Sequence, residues 1–181
     1  EELEDAGSLS LAEVLQRQRA GVDLLRVALG GGETFFLPRG VKGRHGTGVR
    51  TDGRNLIDEA RAAGYTVVFD RDELAATPAG TTRLLGLFAA DEIFNEANEQ
   101  DLARRKLTAF QPQAPRFDTM IKIAIDILAK DADGFLLVGN EEASDNFAGE
   151  NNASAVLEAG AGADRALAHA LAFAQARGQT T

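Results

Sequence analysis

Apolar residues in this chain gather into short runs set between longer amphipathic stretches. Residues 22–29, 65–69, 83–88 and 135–138 are runs of four to eight, rich in Val, Leu and Phe, and each reads as a buried strand. Between them the apolar spacing widens to that of a helix. Residues 10–20 place Leu11, Val14 and Leu15 on one face, with Gly21 at the end. Leu56, Ile57 and Ala60 form a second stripe, with Asp52 as its expected N-cap and Gly64 as its stop. Asp70-Arg71-Asp72-Glu73 reads as a capping box opening a short helix that Pro78 and Gly80 end. Met120, Ile121, Ile125 and Leu128 form another stripe, capped by Asp118 or Thr119 and running to Lys130. An Ala-rich helix closes the chain over residues 152–177. Residues 35–38 read as a short extended piece, 39–50 as a Gly-rich basic loop, and 91–113 as a polar excursion with a short helix.

Strands alternating with helices predict an α/β fold: a three-layer, mostly parallel sheet between helices. Residues 1–181 are expected to form a single α/β domain. Four strands make a thin sheet, however, and the chain stops after a helix, where another strand would normally follow. The expected picture is therefore an incomplete fold, part of a larger domain.

The formal charge is −9, from 28 acids against 19 bases, which argues against general nucleic-acid binding. Cysteine is absent, so neither disulfides nor thiolate chemistry enter. No apolar run approaches the roughly 18 residues of a membrane span. The acidic N-terminus has no signal-peptide pattern.

Most candidate motifs have a plain structural reading. Gly30-Gly31-Gly32 follows a strand but leads to an aromatic extended piece, so a tight strand exit is expected rather than a dinucleotide loop. Gly160 and Gly162 lie within a helix and are expected to permit close packing on the sheet. No P-loop occurs. Lys42, Arg44, His45, Arg50 and Arg54 are either a solvated, mobile loop or a grip for an anionic group. His45 and His169 are the only histidines, poor material for a His-rich zinc site. The serines are Ser8, Ser10, Ser144 and Ser154, and none sits in GxSxG.

The exception is residues 134–153, GFLLVGNEEASDNFAGENNA. An apolar strand here empties into Asn140, Glu141, Glu142, Asp145, Glu150, Asn151 and Asn152, which is how open α/β sheets build sites at their carboxyl ends. Crowded carboxylates and amides want a cation or many donors. Two readings stand: a metal site, or a hydrogen-bonded loop in which Asn151 or Asn152 caps the last helix.

This segment, with VALGGGETFFLP, RTDGRNLIDEARAAGY, LLGLFA and the helix around residues 166–173, resembles the bacterial alkaline phosphatase family over nearly the whole chain. The resemblance implies a phosphomonoesterase working through a phosphoserine, with two zinc ions and often one magnesium. It also implies a large parallel sheet between helices, usually in a homodimer in the periplasm or secreted, with no nucleic-acid or membrane partner expected. The family pattern in this segment is a Glu, an Asp five residues on, and a His four beyond that. Asp145 falls on the Asp, a zinc ligand; Asn140 falls where the magnesium-binding Glu would be, and Gly149 where the His would be. Glu141, Glu142 or Glu150 would substitute by a shift of register. The family's Asp-Ser nucleophile and its Asp-His metal pair have no counterpart in this sequence. The chain is therefore expected to be an internal stretch of a longer, metal-dependent phosphatase and inactive by itself. The alternative is a non-catalytic relative that binds a small ligand, a cation or a partner subunit.

Overall fold

The computed structural model describes residues 25–178. The helix expected over residues 10–20 lies outside them. Three parallel strands form the sheet: β1 (Val27–Gly30), β2 (Thr66–Val68) and β3 (Leu84–Leu87), in the order β1-β3-β2. All four residues of β3 are buried. The period-2 geometry sends Leu85 and Leu87 to one face and Leu84 to the other, so the strand reads as a continuous apolar run. Gly86 lies on the same side as Leu84. A Cβ there would stand 2.3 Å from Phe88 Cζ and 2.8 Å from Leu29 Cδ2, so glycine makes room for the Phe88 ring.

Helices cover both faces, as the alternating pattern predicts. On one, α1 (Leu56–Ala62) packs Leu56, Ile57 and Ala60 against Ala28, Leu85 and Leu87. On the other lie α2 (Arg71–Ala75) and α4 (Phe117–Leu128), through Leu74, Met120 and Ile127. The excursion carries α3 (Glu99–Arg105) and one antiparallel bridge, Phe94 to Phe110. Beyond α4 come α5 (Ala143–Gly149) and the 25-residue α6 (Ala153–Arg177). No helix among the described residues is long and apolar enough to cross a membrane.

Capping follows the sequence at some ends and departs from it at others. Asp70 caps α2, its Oδ1 accepting from the N–H groups of Asp72 at 3.0 Å and Glu73 at 2.8 Å, while Glu73 accepts from Phe69 N–H. Gly64 stops α1 with φ of 84°. The cap of α1, however, is Asn55 rather than Asp52, because Asp52 turns back to Arg50 and to the Arg54 N–H. Neither Asp118 nor Thr119 caps α4, which begins at Phe117 after Arg116. Residues 35–38 are not extended throughout: Glu33–Phe36 forms a 3-10 turn.

Residues 135–138 are not a strand. They make no sheet pairing, and Leu136 and Val138 are 86% and 80% exposed. A strand needs a paired neighbour, and no described strand lies beside this run. Gly160 and Gly162 also differ from expectation. The small-residue stripe Ala155, Ala159, Gly162 and Ala166 belongs to a helix that packs on α4 and α5, not on the sheet.

Two carboxylates, Glu33 buried and Asp118 partly buried, carry much of the assembly. Glu33, 1% exposed, accepts the N–H groups of Arg44, His45 and Gly46 at 2.7, 2.6 and 3.1 Å and so builds the 39–50 loop around itself. Asp118 accepts from Arg165 Nε at 2.8 Å, tying α4 to α6. Burial works against the Asp118 charge, and its Oδ1 has no partner. The Arg165 hydrogen bond and charge, with the nearby backbone N–H groups, outweigh burial and hold the carboxyl below its ordinary value.

Removing the Glu33 acceptor in Glu33→Ala strands three loop donors. Stability should fall by roughly 2 kcal/mol or more, read as a lower urea midpoint with the slope unchanged. A folded-state pKa below the unfolded one means stability that is complete above the unfolded value, about 4, and is lost as pH falls through the folded one. Asp118→Asn should therefore cost roughly 0.5–1 kcal/mol at neutral pH, the range for an ion pair with a half-exposed Arg. Thermal melts should show the gap to wild type closing below about pH 4.

Candidate functional site

Residues 136–143 form one wall of a cavity of about 1760 Å³. β1 lines the same cavity, and Met120, Ile121 and Ala124 of α4 contribute to its lining. Gly139 fixes the wall against α4, because a Cβ there would lie 2.7 Å from Ile121 Cδ1 and 3.1 Å from Phe117 Cζ.

The polar residues that follow divide between this cavity and the outer surface. Asn140 and Glu141 line the cavity. Asn140 is exposed, and the Glu141 carboxylate accepts the Ser144 N–H at 3.1 Å, so it serves the start of α5. Asp145, in the first turn of α5, is exposed and does not line the cavity. Gly149 is exposed at the far end of the same helix. Of the three candidate donors, Asn140 and Glu141 thus share the cavity lining and Asp145 lies outside it. Among the described residues no group of three or more His, Asp or Glu side chains is placed to hold a metal ion.

The rest of the segment is structural. Phe147 is fully buried, with Phe94 and Phe110 at centroid distances of 5.4 and 5.6 Å. Asn152, 1% exposed, is the N-cap of α6: its Oδ1 accepts from Ala155 N–H at 3.1 Å while its Nδ2 donates to the Ala97 carbonyl at 2.9 Å. Of the two Asn caps considered, Asn152 is the one used, and Asn151 takes the left-handed turn before it at φ 56°.

Glu92 joins Asn140, Glu141 and Glu142 on the cavity wall. Burial first, then the charges of Glu142, Asp91 and Glu96, push its carboxyl above the ordinary range. The sequence pattern that singles out residues 140–142, carboxylates directly after an apolar strand, holds equally for Asp91-Glu92 after LLGLFAA. The polar excursion that follows masked that signal.

The basic loop is a built structure rather than a free grip. Arg44 pairs with Asp70 at 3.3 Å and Glu73 at 3.0 Å, Arg50 with Asp52, and Arg54 with Glu59. His45 Nε2 lies 2.8 Å from the Phe69 carbonyl, and His169 is exposed on α6. Gly31 is where the triple glycine is needed: a Cβ there would stand 1.8 Å from the Asp91 carbonyl oxygen. The glycines thus make a close strand exit.

Comparison with known proteins follows the same lines. A family model described as alkaline phosphatase matches residues 4–181. Repressible alkaline phosphatase of Saccharomyces cerevisiae is 31% identical over 169 residues, which are 85% of this chain and 27% of that protein. Alkaline phosphatase H of Pseudomonas aeruginosa is 28% identical over 194 residues, 98% of this chain and 38% of that one. The crystal structure of Thermus thermophilus alkaline phosphatase superposes with a TM-score of 0.62 at 28% identity, over 91% of this chain and 30% of its own. The chain therefore spans 27% and 38% of the lengths of these two sequence relatives. With a parallel sheet covered by helices, a triple-glycine strand exit and a match across residues 4–181, this chain belongs to the alkaline phosphatase family.

Proposed function

We propose that this chain is a segment of a metal-dependent phosphomonoesterase, and that residues 1–181 alone do not turn over. The observation that carries the proposal is the family match over residues 4–181, joined to relatives that are all far longer than the chain. A phosphate monoester is the substrate class this family membership supports. The sequence contains no Asp-Ser dipeptide and no Asp-His pair, so the serine nucleophile and one metal pair of the family come from elsewhere in the polypeptide.

In the same proposal, Asp145, Asn140 and Glu141 are the donors this chain brings toward zinc or magnesium. They need further donors from outside residues 25–178, since the described residues do not gather a site. Glu92, raised by partial burial and by the neighbouring charges of Glu142, Asp91 and Glu96, would gain from a cation nearby. A homodimeric enzyme in the periplasm or secreted is the setting that goes with this reading.

Hydrolysis of p-nitrophenyl phosphate, measured with zinc and magnesium present, tests the proposal on two proteins. The 181-residue chain should match the buffer blank, and the intact polypeptide that contains it should show metal-dependent turnover. Turnover by the short chain, or none by the intact one, would overturn it. Thermal melts of the short chain with zinc or magnesium should show no shift. A rise in Tm growing with the logarithm of cation concentration would favour a stand-alone binding protein instead.

A further inference from the structure

The loop at residues 39–49 folds as a hairpin across the carboxyl edge of the sheet. Lys42 and Thr47 form an antiparallel bridge, and the Gly43 N–H donates to the Gly46 carbonyl at 2.7 Å. The hairpin touches the exit of every strand. Beyond β1, Glu33 accepts from the N–H groups of Arg44, His45 and Gly46. Beyond β3, a Cβ on Gly46 would stand 3.0 Å from the Ala90 Cβ. Beyond β2, His45 Nε2 lies 2.8 Å from the Phe69 carbonyl, and Arg44 pairs with Asp70. Open α/β sheets bind their ligands at this edge. The exits of β1 and β3 are themselves joined: the N–H groups of Gly32, Glu33 and Thr34 donate to the carbonyls of Asp91, Ala89 and Ala90 at 2.7, 3.0 and 3.1 Å. Glu92, the residue after this ladder, lines the cavity.

The charge on this hairpin is opposite to that of the protein. Residues 34–51 contain no Asp or Glu, in a chain with a formal charge of −9. Arg44 and Arg50 are held in ion pairs. Arg39 and Lys42 are exposed, and neither makes an ion pair with another described residue. Phe35, Val41 and Val49, in the same stretch, are exposed large apolar residues. Their backbone segments are bonded together: the Val49 N–H donates to the Thr34 carbonyl at 3.0 Å, and the Gly48 N–H to that of Val41 at 2.8 Å. This bonding and the Glu33 anchor fix the frame that carries both the cations and the apolar groups.

We propose that the 39–49 hairpin receives the leaving group of the substrate, and that Arg39 and Lys42 favour phosphate monoesters whose leaving group joins an apolar body to a negative charge of its own. This rests on the phosphomonoesterase reading above and narrows the substrate within it. Chemistry at phosphorus needs a nucleophile and metal ligands, and residues 34–51 hold no serine, cysteine or carboxylate. His45, the one histidine there, is engaged at the Phe69 carbonyl. The hairpin is therefore suited to binding and not to the reaction itself. A protein of net charge −9 repels a phosphate monoester, and a charged leaving group adds to the repulsion. Two unpaired cations at the edge where ligands bind offset it, and most for the substrate with the extra charge. Phe35, Val41 and Val49 offer the apolar body of that group a surface to cover.

Steady-state kinetics on the intact polypeptide test it, with 4-carboxyphenyl phosphate beside p-nitrophenyl phosphate. The readout is the ratio of their kcat/KM values, carboxyphenyl over nitrophenyl. The double variant Arg39→Gln/Lys42→Gln should lower this ratio about fivefold, the scale of an exposed ion pair, chiefly through KM for the carboxylate substrate. Raising the ionic strength should bring the wild-type ratio down toward that of the double variant, because exposed charges are screened. Arg105→Gln removes an exposed cation at the end of α3 and should leave the ratio at its wild-type value. A ratio unchanged in the double variant, or lowered as much by Arg105→Gln, would sink the proposal and leave the phosphatase reading standing. No turnover of either substrate by the wild-type polypeptide would remove that reading, and the proposal with it.

Discussion

A parallel sheet is stable only when both faces are covered and its central strands are paired on both edges. β3 meets that requirement fully. Leu84, Leu85 and Leu87 are 0% exposed, with β1 on one edge, β2 on the other, and a helical layer on each face. The surrounding elements take their places from this. α1 presents Leu56, Ile57 and Ala60 to one face, and α2 and α4 present Leu74, Met120 and Ile127 to the other. The triple glycine lets the chain leave β1 past the Asp91 carbonyl, which itself follows β3. The buried Glu33 then turns the basic loop back over that exit.

The same requirement explains what the sequence made legible. Runs such as LLGLFA are apolar on both faces because both faces are covered, and they were readable as strands without a partner in view. The long helices were readable from their stripes, and the last one from Asn152, whose amide caps it. Short-range competition was harder to read. Asp52 and Asn55 are both good caps, and the choice turned on Arg50 drawing Asp52 away. Asp118 was likewise diverted, by Arg165 from a helix 47 residues on. The first diversion comes from neighbours two residues away, and the second is encoded by nothing local to Asp118.

Residues 135–138 differ for another reason. Their composition is that of a buried strand, and their surroundings do not provide one. Composition records the environment in which a segment is finally buried, whereas pairing depends on which other segments are present. Leu136 at 86% exposure and Val138 at 80% are large apolar side chains on a connecting segment, a place where polar residues are the rule. The exposed pair lines the same cavity as β1, which pairs on one edge only among the described residues.

The candidate site borders that same cavity. In an open α/β sheet the ligand-binding groups stand at the carboxyl ends of strands, so their mutual positions are only as well fixed as the strands are. Glu92 follows β3, which is fully paired, and it is the carboxylate whose ionisation burial and neighbouring charge disturb. Asn140 and Glu141 follow residues 135–138, which are not paired, and Asp145 sits one step further out on α5. Glu92 thus hangs from a strand paired on both edges, whereas Asn140 and Glu141 hang from a run with no sheet partner among the described residues, and the two halves of the cavity's polar lining differ in how firmly the backbone holds them.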